Sequence, residues 1–159
     1  MPQQLSILEQ RKIEARVLVP IIQAFAREFG EERAHAIVRD AIVDIARQHG
    51  AELGKGPRSN PLDKVKEIVP VFTSDDALEL DVVDDSEQTY AFDVIRCRFA
   101  EFYKEMGVPE LGFLLSCNRD FALSEGISPD LELRRTQTIM EGATCCDFRF
   151  RRKAAKERD

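Results

Sequence analysis

The periodicity of the apolar residues changes once along this chain of 159 residues. In the first third they recur every three or four positions, which is the spacing of amphipathic helices. From residue 78 onward, short runs alternate apolar and polar residues, which is the spacing of half-buried strands. The order helices, hairpin, helices, hairpin predicts an α+β fold. In this fold the N-terminal helices pack with an antiparallel sheet built from two β-hairpins separated by short helices.

The first two helices each carry an apolar stripe, and we expect the first stripe to pack inside the protein. In the first helix it consists of Ile13, Val17, Ile21, Phe25 and Phe29, with Leu18 and Ile22 beside them. In the second helix it consists of Ala34, Ile37, Val38, Ala41, Ile42 and Ile45. Pro20 predicts a kink or a break near Leu18, because proline lacks the N–H that a helix needs. A third, short helix is predicted from Leu62 to about Val69, ending before Pro70.

Length and composition predict one folded domain over residues 1–159. The hydrophobic fraction of 43% and the charged fraction of 33% are typical of globular proteins rather than disordered ones. Within the domain we expect a helical N-terminal layer over residues 1–54 and an α+β core over residues 60–150. Residues 151–159 are locally basic and predict a solvated tail.

Charge and cysteine content limit the partners that we expect. The net charge of −6 disfavours non-specific binding to nucleic acid or to an anionic membrane. No signal segment and no membrane-spanning apolar run is apparent, so we expect a cytoplasmic protein whose four cysteines are free thiols. We expect a small-molecule substrate and no cofactor, although a metal ion bound by cysteines stays an alternative. A homo-oligomer also stays open.

The second predicted hairpin brings polar residues onto an otherwise apolar face. A two-residue turn at Glu141-Gly142 would pair Leu133 with Phe150, Arg135 with Phe148, and Gln137 with Cys146 on one face. Thr136 would lie opposite Asp147 on the other face. An arginine, an amide and a thiol together on a core face indicate one wall of a pocket. The alternative is an edge position from which Arg135 extends to solvent.

A second candidate group lies just before this hairpin. Cys117 and Asp120 are three residues apart, so a continuing helix would place both on one face. The carboxylate would raise the pKa of the thiol, whereas Arg119 or Arg135 nearby would lower it. Asp120 could act as a general base or accept a hydrogen bond from a cationic substrate group. Alternatively, Cys117 is simply a small buried apolar residue.

The remaining cysteines and the histidines give weaker indications. Cys145 and Cys146 are adjacent on a strand, so they point to opposite faces. Cys97 lies where the second strand meets the following helix, a junction from which a functional side chain can emerge. His35 and His49 are fourteen residues apart, which is not the spacing of metal ligands on a helix.

Four motifs together resemble the L-2-amino-thiazoline-4-carboxylic acid hydrolase family. They are Arg96-Cys97 before a Phe-rich helix, Cys117-x-x-Asp120, Arg135-Thr136-x-Thr138 before a glycine, and Cys146-Asp147-Phe148-Arg149-Phe150. The resemblance covers roughly residues 60 to 150, and the N-terminal helices are compatible with it. It implies a hydrolase that opens the thiazoline ring of its substrate and yields N-carbamoyl-cysteine.

The resemblance also implies roles for the candidate residues. Ring opening needs an attack on the amidine-like carbon between sulfur and nitrogen. Cys117 or Cys146 would attack this carbon directly, or Asp120 would activate a water, while Arg135 holds the substrate carboxylate. In a second version, three thiols bind a metal ion that activates water, and these are Cys97, Cys117 and Cys146.

Two further residues and two rival classes complete the expectations. Thr136 and Gln137 would contribute to substrate binding beside Arg135. The first rival is a non-catalytic module that binds a small molecule or a metal in the same pocket. The second is a structural or partner-binding protein that presents its first helix to another chain.

Overall fold

The computed structural model describes residues 4–57 and 60–154. Within these ranges the chain forms α1 (Ile7–Phe29), α2 (Glu31–Leu53), α3 (Pro61–Thr73), β1 (Leu78–Asp85), β2 (Thr89–Cys97), α4 (Arg98–Glu105), α5 (Pro109–Leu115), α6 (Asp120–Ile127), β3 (Leu131–Arg134) and β4 (Cys146–Arg152). The predicted α+β fold with N-terminal helices and an antiparallel sheet is confirmed. None of the helices in these ranges is both long and apolar enough to cross a membrane.

The four strands form one antiparallel sheet in the order β1-β2-β4-β3. The strands β1 and β2 form the predicted hairpin, and β4 lies between β2 and β3. The pairing of Leu133 with Phe150 follows the prediction. Because β2 and β4 are neighbours, Val94 pairs with Cys146, which brings this thiol next to the end of β2 that carries Cys97.

The connection between β3 and β4 differs from the predicted two-residue turn. The strand β3 ends at Arg134, and a 3₁₀ turn over Ile139–Glu141 follows before β4 begins. The carboxylate of Asp147 accepts hydrogen bonds from the backbone N–H groups of Thr136 and Gln137, at 2.8 and 3.0 Å. These N–H groups are therefore satisfied without a strand partner, and the predicted ladder pairs of Arg135 and Gln137 do not form.

Helix α1 packs through a different face from the one predicted. Its buried residues are Leu8, Arg11, Ala15, Val19 and Ile22. The residues of the predicted stripe, Ile13 to Phe29 in steps of four, are 45–58% exposed. The expectation that this stripe packs internally was wrong for these five residues, whereas the flanking Ile22 is buried and Leu18 packs against the core. Both faces of α1 carry apolar residues, and the small Ala15 on the buried face lets α1 approach its neighbours closely.

Neither proline ends its helix where we predicted. Helix α1 continues unbroken through Pro20, and α3 continues past Pro70 to Thr73. A proline removes one helical hydrogen bond and frees the carbonyl four residues earlier. For Pro20 this carbonyl belongs to Arg16, which is exposed and therefore open to water.

Helices α2 and α6 touch through their backbones. A Cβ atom added at Gly50 would lie 2.1 Å from the carbonyl oxygen of Leu123, and one added at Gly126 would lie 2.2 Å from that of Arg47. Such distances are far below van der Waals contact. Because α6 begins at Asp120, this close packing sets the position of that carboxylate relative to α2.

Two apolar clusters form the core. One joins α1, α4 and α5, and the other joins α3 to the sheet. Leu78, Cys97 and Ile139 pack against both clusters, so the two meet at the end of the sheet where these residues lie. The polar candidate residues lie at this junction.

Part of the predicted basic tail belongs to the sheet. Strand β4 extends to Arg152, and the backbone N–H of Lys153 donates to the carbonyl of Asp130 at 2.8 Å. Lys156 and Arg158, also assigned to the tail, lie outside the described residues. The expectation of a single domain stays a prediction.

Candidate functional site

Two adjoining cavities lie between the sheet and the helices. The first, which we call the polar chamber, holds about 90 Å³. Its ionisable lining comprises Arg11, Arg119, Arg135, Asp120, Cys97, Cys117 and Cys146. The second, which we call the apolar chamber, holds about 100 Å³ between α3, α6 and the sheet. Asp120 and Phe148 line both chambers.

A buried ion pair joins Arg135 and Asp120 in the polar chamber. The side chain of Arg135 is only 4% exposed, so the alternative in which it extends to solvent was wrong. Its Nη1 donates to Oδ2 of Asp120 and to the carbonyl oxygen of Cys117 at 3.1 Å. The guanidinium lies 5.0 Å from the ring centre of Phe121 and 5.7 Å from that of Phe148, so aromatic faces support its charge.

Asp120 is the acid–base group of the chamber. Burial raises the pKa of its carboxyl to about 6, although the positive charge of Arg135 opposes this shift. The 28% of its side chain that stays accessible lines the two chambers. Arg135 donates its hydrogen bond to Oδ2 of Asp120. Among the described residues, Oδ1 of Asp120 has no hydrogen-bond partner. A carboxylate with a free oxygen and a pKa near neutrality suits a general base.

Two further arginines carry positive charge into the same chamber, namely Arg119, which was expected near Cys117, and Arg11, which the sequence analysis did not single out. Arg11 is buried in α1 and its Nη1 donates to Glu14 at 2.9 Å. Arg119 donates from Nε to the carbonyl of Leu115 at 2.6 Å, and its Nη2 lies 3.5 Å from the same Glu14. Burial and the nearby charge of Arg11 lower the pKa of Arg119 to about 10. Three guanidinium groups thus line one small chamber, where they favour an anionic ligand.

The effect of this positive charge extends to a histidine on α2. Burial lowers the pKa of His49, and the charges of Arg11 and Arg119 lower it further. One sequence signal could have revealed Arg11, because it lies at helical spacing between the buried Leu8 and Ala15. An arginine on the packed face of a helix needs a partner or a ligand.

The three candidate thiols do come together at the chamber, as the resemblance implied. Sγ of Cys97 accepts from the N–H of Ala100 at 3.4 Å, and Sγ of Cys146 accepts from the N–H of Ile139 at 3.2 Å. Burial raises the pKa of Cys97 to about 11. Burial also raises the pKa of Cys117, with Asp120 adding to the rise, and that of Cys146. These cysteines are therefore neutral thiols at pH 7, which weakens them as nucleophiles.

The thiols do not fit a metal ion as they are arranged. Across residues 4–57 and 60–154, no group of three histidine, cysteine or acidic side chains has the geometry to hold one.

The proposed substrate contacts of Thr136 and Gln137 are not supported. Both residues are exposed and neither lines a chamber, because β3 has ended and their N–H groups point to Asp147. The amide of Gln137 donates to the carbonyl and the sulfur of Cys145, each at 3.2 Å. Thr138 is the residue of this motif that lines the polar chamber, and it is buried.

Comparison with known proteins supports the fold and the family. The structures that resemble this one include the phenol-responsive sensory domain of the transcription activator PoxR, crystallised with phenol. The TM-score is 0.56 at 13% identity, covering 96% of this chain and 79% of that chain, so this likeness concerns the fold. No curated protein sequence matches the chain.

The family comparison covers most of the chain. The sequence model of the L-2-amino-thiazoline-4-carboxylic acid hydrolases matches residues 10–150. The match includes most of α1 and all of α2, beyond the part that carries the motifs. It therefore also spans Arg11, the arginine that α1 contributes to the polar chamber. The chain belongs to the L-2-amino-thiazoline-4-carboxylic acid hydrolase family.

Proposed function

We propose that this protein is a hydrolase that opens a small cyclic amidine bearing a carboxylate, such as L-2-amino-thiazoline-4-carboxylate. One observation carries the proposal: Asp120 has a free oxygen and a pKa near 6 in a chamber lined by three arginines. Such a chamber combines a site for an anion with a group that can activate water. Family membership supports the same reaction class.

The charges suggest how such a substrate would bind. Both hydrogen bonds of Arg135 use Nη1, so Nε and Nη2 are available to a carboxylate. Arg11 and Arg119 add positive charge from α1 and from the turn before α6. The amidine end of the substrate is cationic or polar and would lie against Asp120. The ring carbon to be attacked would then be next to the free oxygen of this carboxylate.

The chemistry follows from the acid–base properties of Asp120. Its carboxylate takes a proton from water as the water oxygen bonds to the ring carbon between sulfur and nitrogen. As the water oxygen adds, the electron pair of the carbon–nitrogen double bond moves to the ring nitrogen. The carbon–sulfur bond then breaks while the new hydroxyl group becomes a carbonyl and gives its proton to the ring nitrogen. The sulfur takes up the proton that Asp120 received. The products are a urea group and a free thiol, and Asp120 returns to its starting form. A pKa near 6 suits a group that must both accept and return a proton.

Attack by a cysteine is the less favoured version of this proposal. Cys117 and Cys146 have raised pKa values, so little thiolate is present at pH 7. In the proposed reaction, these thiols and Cys97 shape the wall of the chamber. All four cysteines of the chain are free, and we propose the cytoplasm as its location because such thiols persist in a reducing compartment.

A non-catalytic small-molecule binding module is the second candidate. The apolar chamber that adjoins Asp120 favours it, because a cavity of this kind can retain a ligand without chemistry. The same fold serves a phenol-responsive sensory domain in PoxR. Turnover distinguishes the two candidates.

The test is to incubate the purified protein with L-2-amino-thiazoline-4-carboxylate and to detect N-carbamoyl-cysteine by mass spectrometry, with and without a chelator. We expect turnover that the chelator does not change, and loss of at least 100-fold in kcat for Asp120→Asn. Asp147→Asn is the matched control, because Asp147 lies outside both chambers. Saturable binding without turnover would establish the binding module instead, and the absence of both would contradict the proposal.

A further inference from the structure

The apolar chamber provides space that the ring of the proposed substrate, bound in the polar chamber, does not fill. Its walls are mainly aliphatic and aromatic side chains from α3, α6 and the sheet, among them Val65, Val69, Leu123 and Phe92. The hydroxyl of Ser124, which also lines it, already donates to the carbonyl of Asp120 at 2.8 Å. Thr73, another polar lining residue, likewise donates to the carbonyl of Pro70 at 3.3 Å. Away from Asp120 at its boundary, the chamber therefore has no unsatisfied polar side chain among the described residues. Such a cavity retains water poorly and is suited to an apolar group.

The two chambers can hold one molecule. They share Asp120 and four apolar residues, which are Phe72, Leu78, Val94 and Phe148. The carboxylate therefore lies at the boundary, with the arginines on one side and the apolar walls on the other. A ligand whose reacting carbon is next to Asp120 has apolar space within reach of its ring.

We propose that the natural substrate carries an apolar group of about four to six carbons beside its polar ring, and that this group occupies the apolar chamber. The inference deepens the proposed function and rests on it for the position of the ring. The size follows from the chamber volume of about 100 Å³, because an apolar cavity of about 150 Å³ takes up benzene. The substrate class is thus an apolar-substituted cyclic amidine carboxylate.

The test compares 2-amino-thiazoline-4-carboxylates that carry hydrogen, methyl, isobutyl or phenyl on ring carbon 5 or on the exocyclic nitrogen. Each buried methylene is expected to raise kcat/KM or affinity about fourfold. The isobutyl or phenyl compound of one series should therefore exceed the unsubstituted compound by on the order of 100-fold. The dissociation constant of each compound is measured by calorimetry in addition to turnover. Binding to the apolar chamber can then be detected even without catalysis.

Two variants of α3 test whether the gain from an apolar substituent arises in the apolar chamber. Val69→Phe fills the apolar chamber from its wall, whereas Val71→Phe makes the same change at a residue that is 49% exposed and lines neither chamber. We expect Val69→Phe to abolish the advantage of the large substituents over the unsubstituted compound. Val71→Phe should leave both unaffected, and far-UV circular dichroism verifies that each variant is folded.

The outcomes separate this inference from the proposed function. Equal kcat/KM and equal affinity for all substituents would overturn the inference and leave ring opening intact. No turnover of any compound, with affinity that still rises with the substituent and falls in Val69→Phe, would overturn the proposed function and support the apolar chamber as a binding site. An advantage that survives in Val69→Phe would overturn the assignment to this chamber.

Discussion

The titration of Asp120 predicts how the stability of this protein depends on pH. Burial raises the pKa of Asp120 from an ordinary value of 3.8 to about 6 in the folded state. The folded protein therefore binds more protons at this site than the unfolded chain does between these two values. It follows that the contribution of Asp120 to the free energy of unfolding falls as pH rises through this interval.

The magnitude follows from the same two values. At about 1.36 kcal/mol per pH unit, the difference corresponds to about 3 kcal/mol in total. Most of this, roughly 2 kcal/mol, is lost between pH 4 and pH 8, because the unfolded carboxyl is already partly ionised at pH 4. Asp120→Asn keeps a neutral side chain at every pH and removes this contribution.

The assay is urea unfolding of the parent chain and of Asp120→Asn at several pH values from 4 to 8. The free energy of unfolding of the variant, minus that of the parent, should rise by roughly 2 kcal/mol over this range. Taking the difference cancels the other titrating groups that the two proteins share. Any constant cost of leaving Arg135 beside an amide shifts the curve without changing its slope.

Asp147→Asn provides a control that does not titrate in this range. Although burial opposes it, hydrogen bonds from Thr136 and Gln137 lower the pKa of Asp147. Its contribution is therefore present above the ordinary carboxyl pKa and is lost only as pH falls below it, so the corresponding difference should stay nearly flat from pH 4 to pH 8. A difference for Asp120→Asn that is flat, or that decreases with pH, would refute the reasoning about burial and with it the case for Asp120 as a base near neutrality.

Three further results follow from the site and its support. Arg11→Met should raise KM for a carboxylate substrate by about 10- to 100-fold and change kcat little, since it removes one charge that holds the anion. Steady-state kinetics measures kcat and KM separately, and an unchanged KM would argue against anion binding at Arg11. Cys117→Ser should keep kcat within about threefold if Asp120 activates water; a loss of 100-fold would instead favour attack by the thiol. Gly126→Ala should lower the free energy of unfolding by about 1–3 kcal/mol in urea titrations, because its Cβ would meet a backbone oxygen; unchanged stability would mean that α2 and α6 have room to separate.

The sequence predicted the parts of this structure that depend on local pattern. Alternation identified the strands around Leu80 and Phe92. The Leu133–Phe150 pair was predicted from a two-residue turn at Glu141-Gly142, and it forms although that turn does not. Alternation failed beyond Arg134, because the side chain of Asp147 takes over the N–H groups that a strand partner would have bonded. No local sequence pattern shows that a side chain will take the place of a strand partner in this way.

The site was only partly predictable for a related reason. The resemblance indicated Asp120 and Arg135, and they form the central ion pair. Arg11 lies more than 100 residues away from them in the chain, and its place in the chamber depends on which face of α1 packs inward. Because α1 has apolar residues on both faces, periodicity alone selected the wrong face and missed the arginine with it.

The glycine contact between α2 and α6 has a consequence for relatives of this protein. Backbone atoms, rather than side chains, fix how far α6 lies from α2, since any Cβ at Gly50 or Gly126 would collide with a carbonyl oxygen. The side chains on the outer faces of both helices can then diverge without displacing Asp120. A relative that keeps the aspartate but replaces these glycines should have a chamber of different width and a different choice of ligand. Glycine at these two positions should therefore predict shared specificity better than the acidic residue itself.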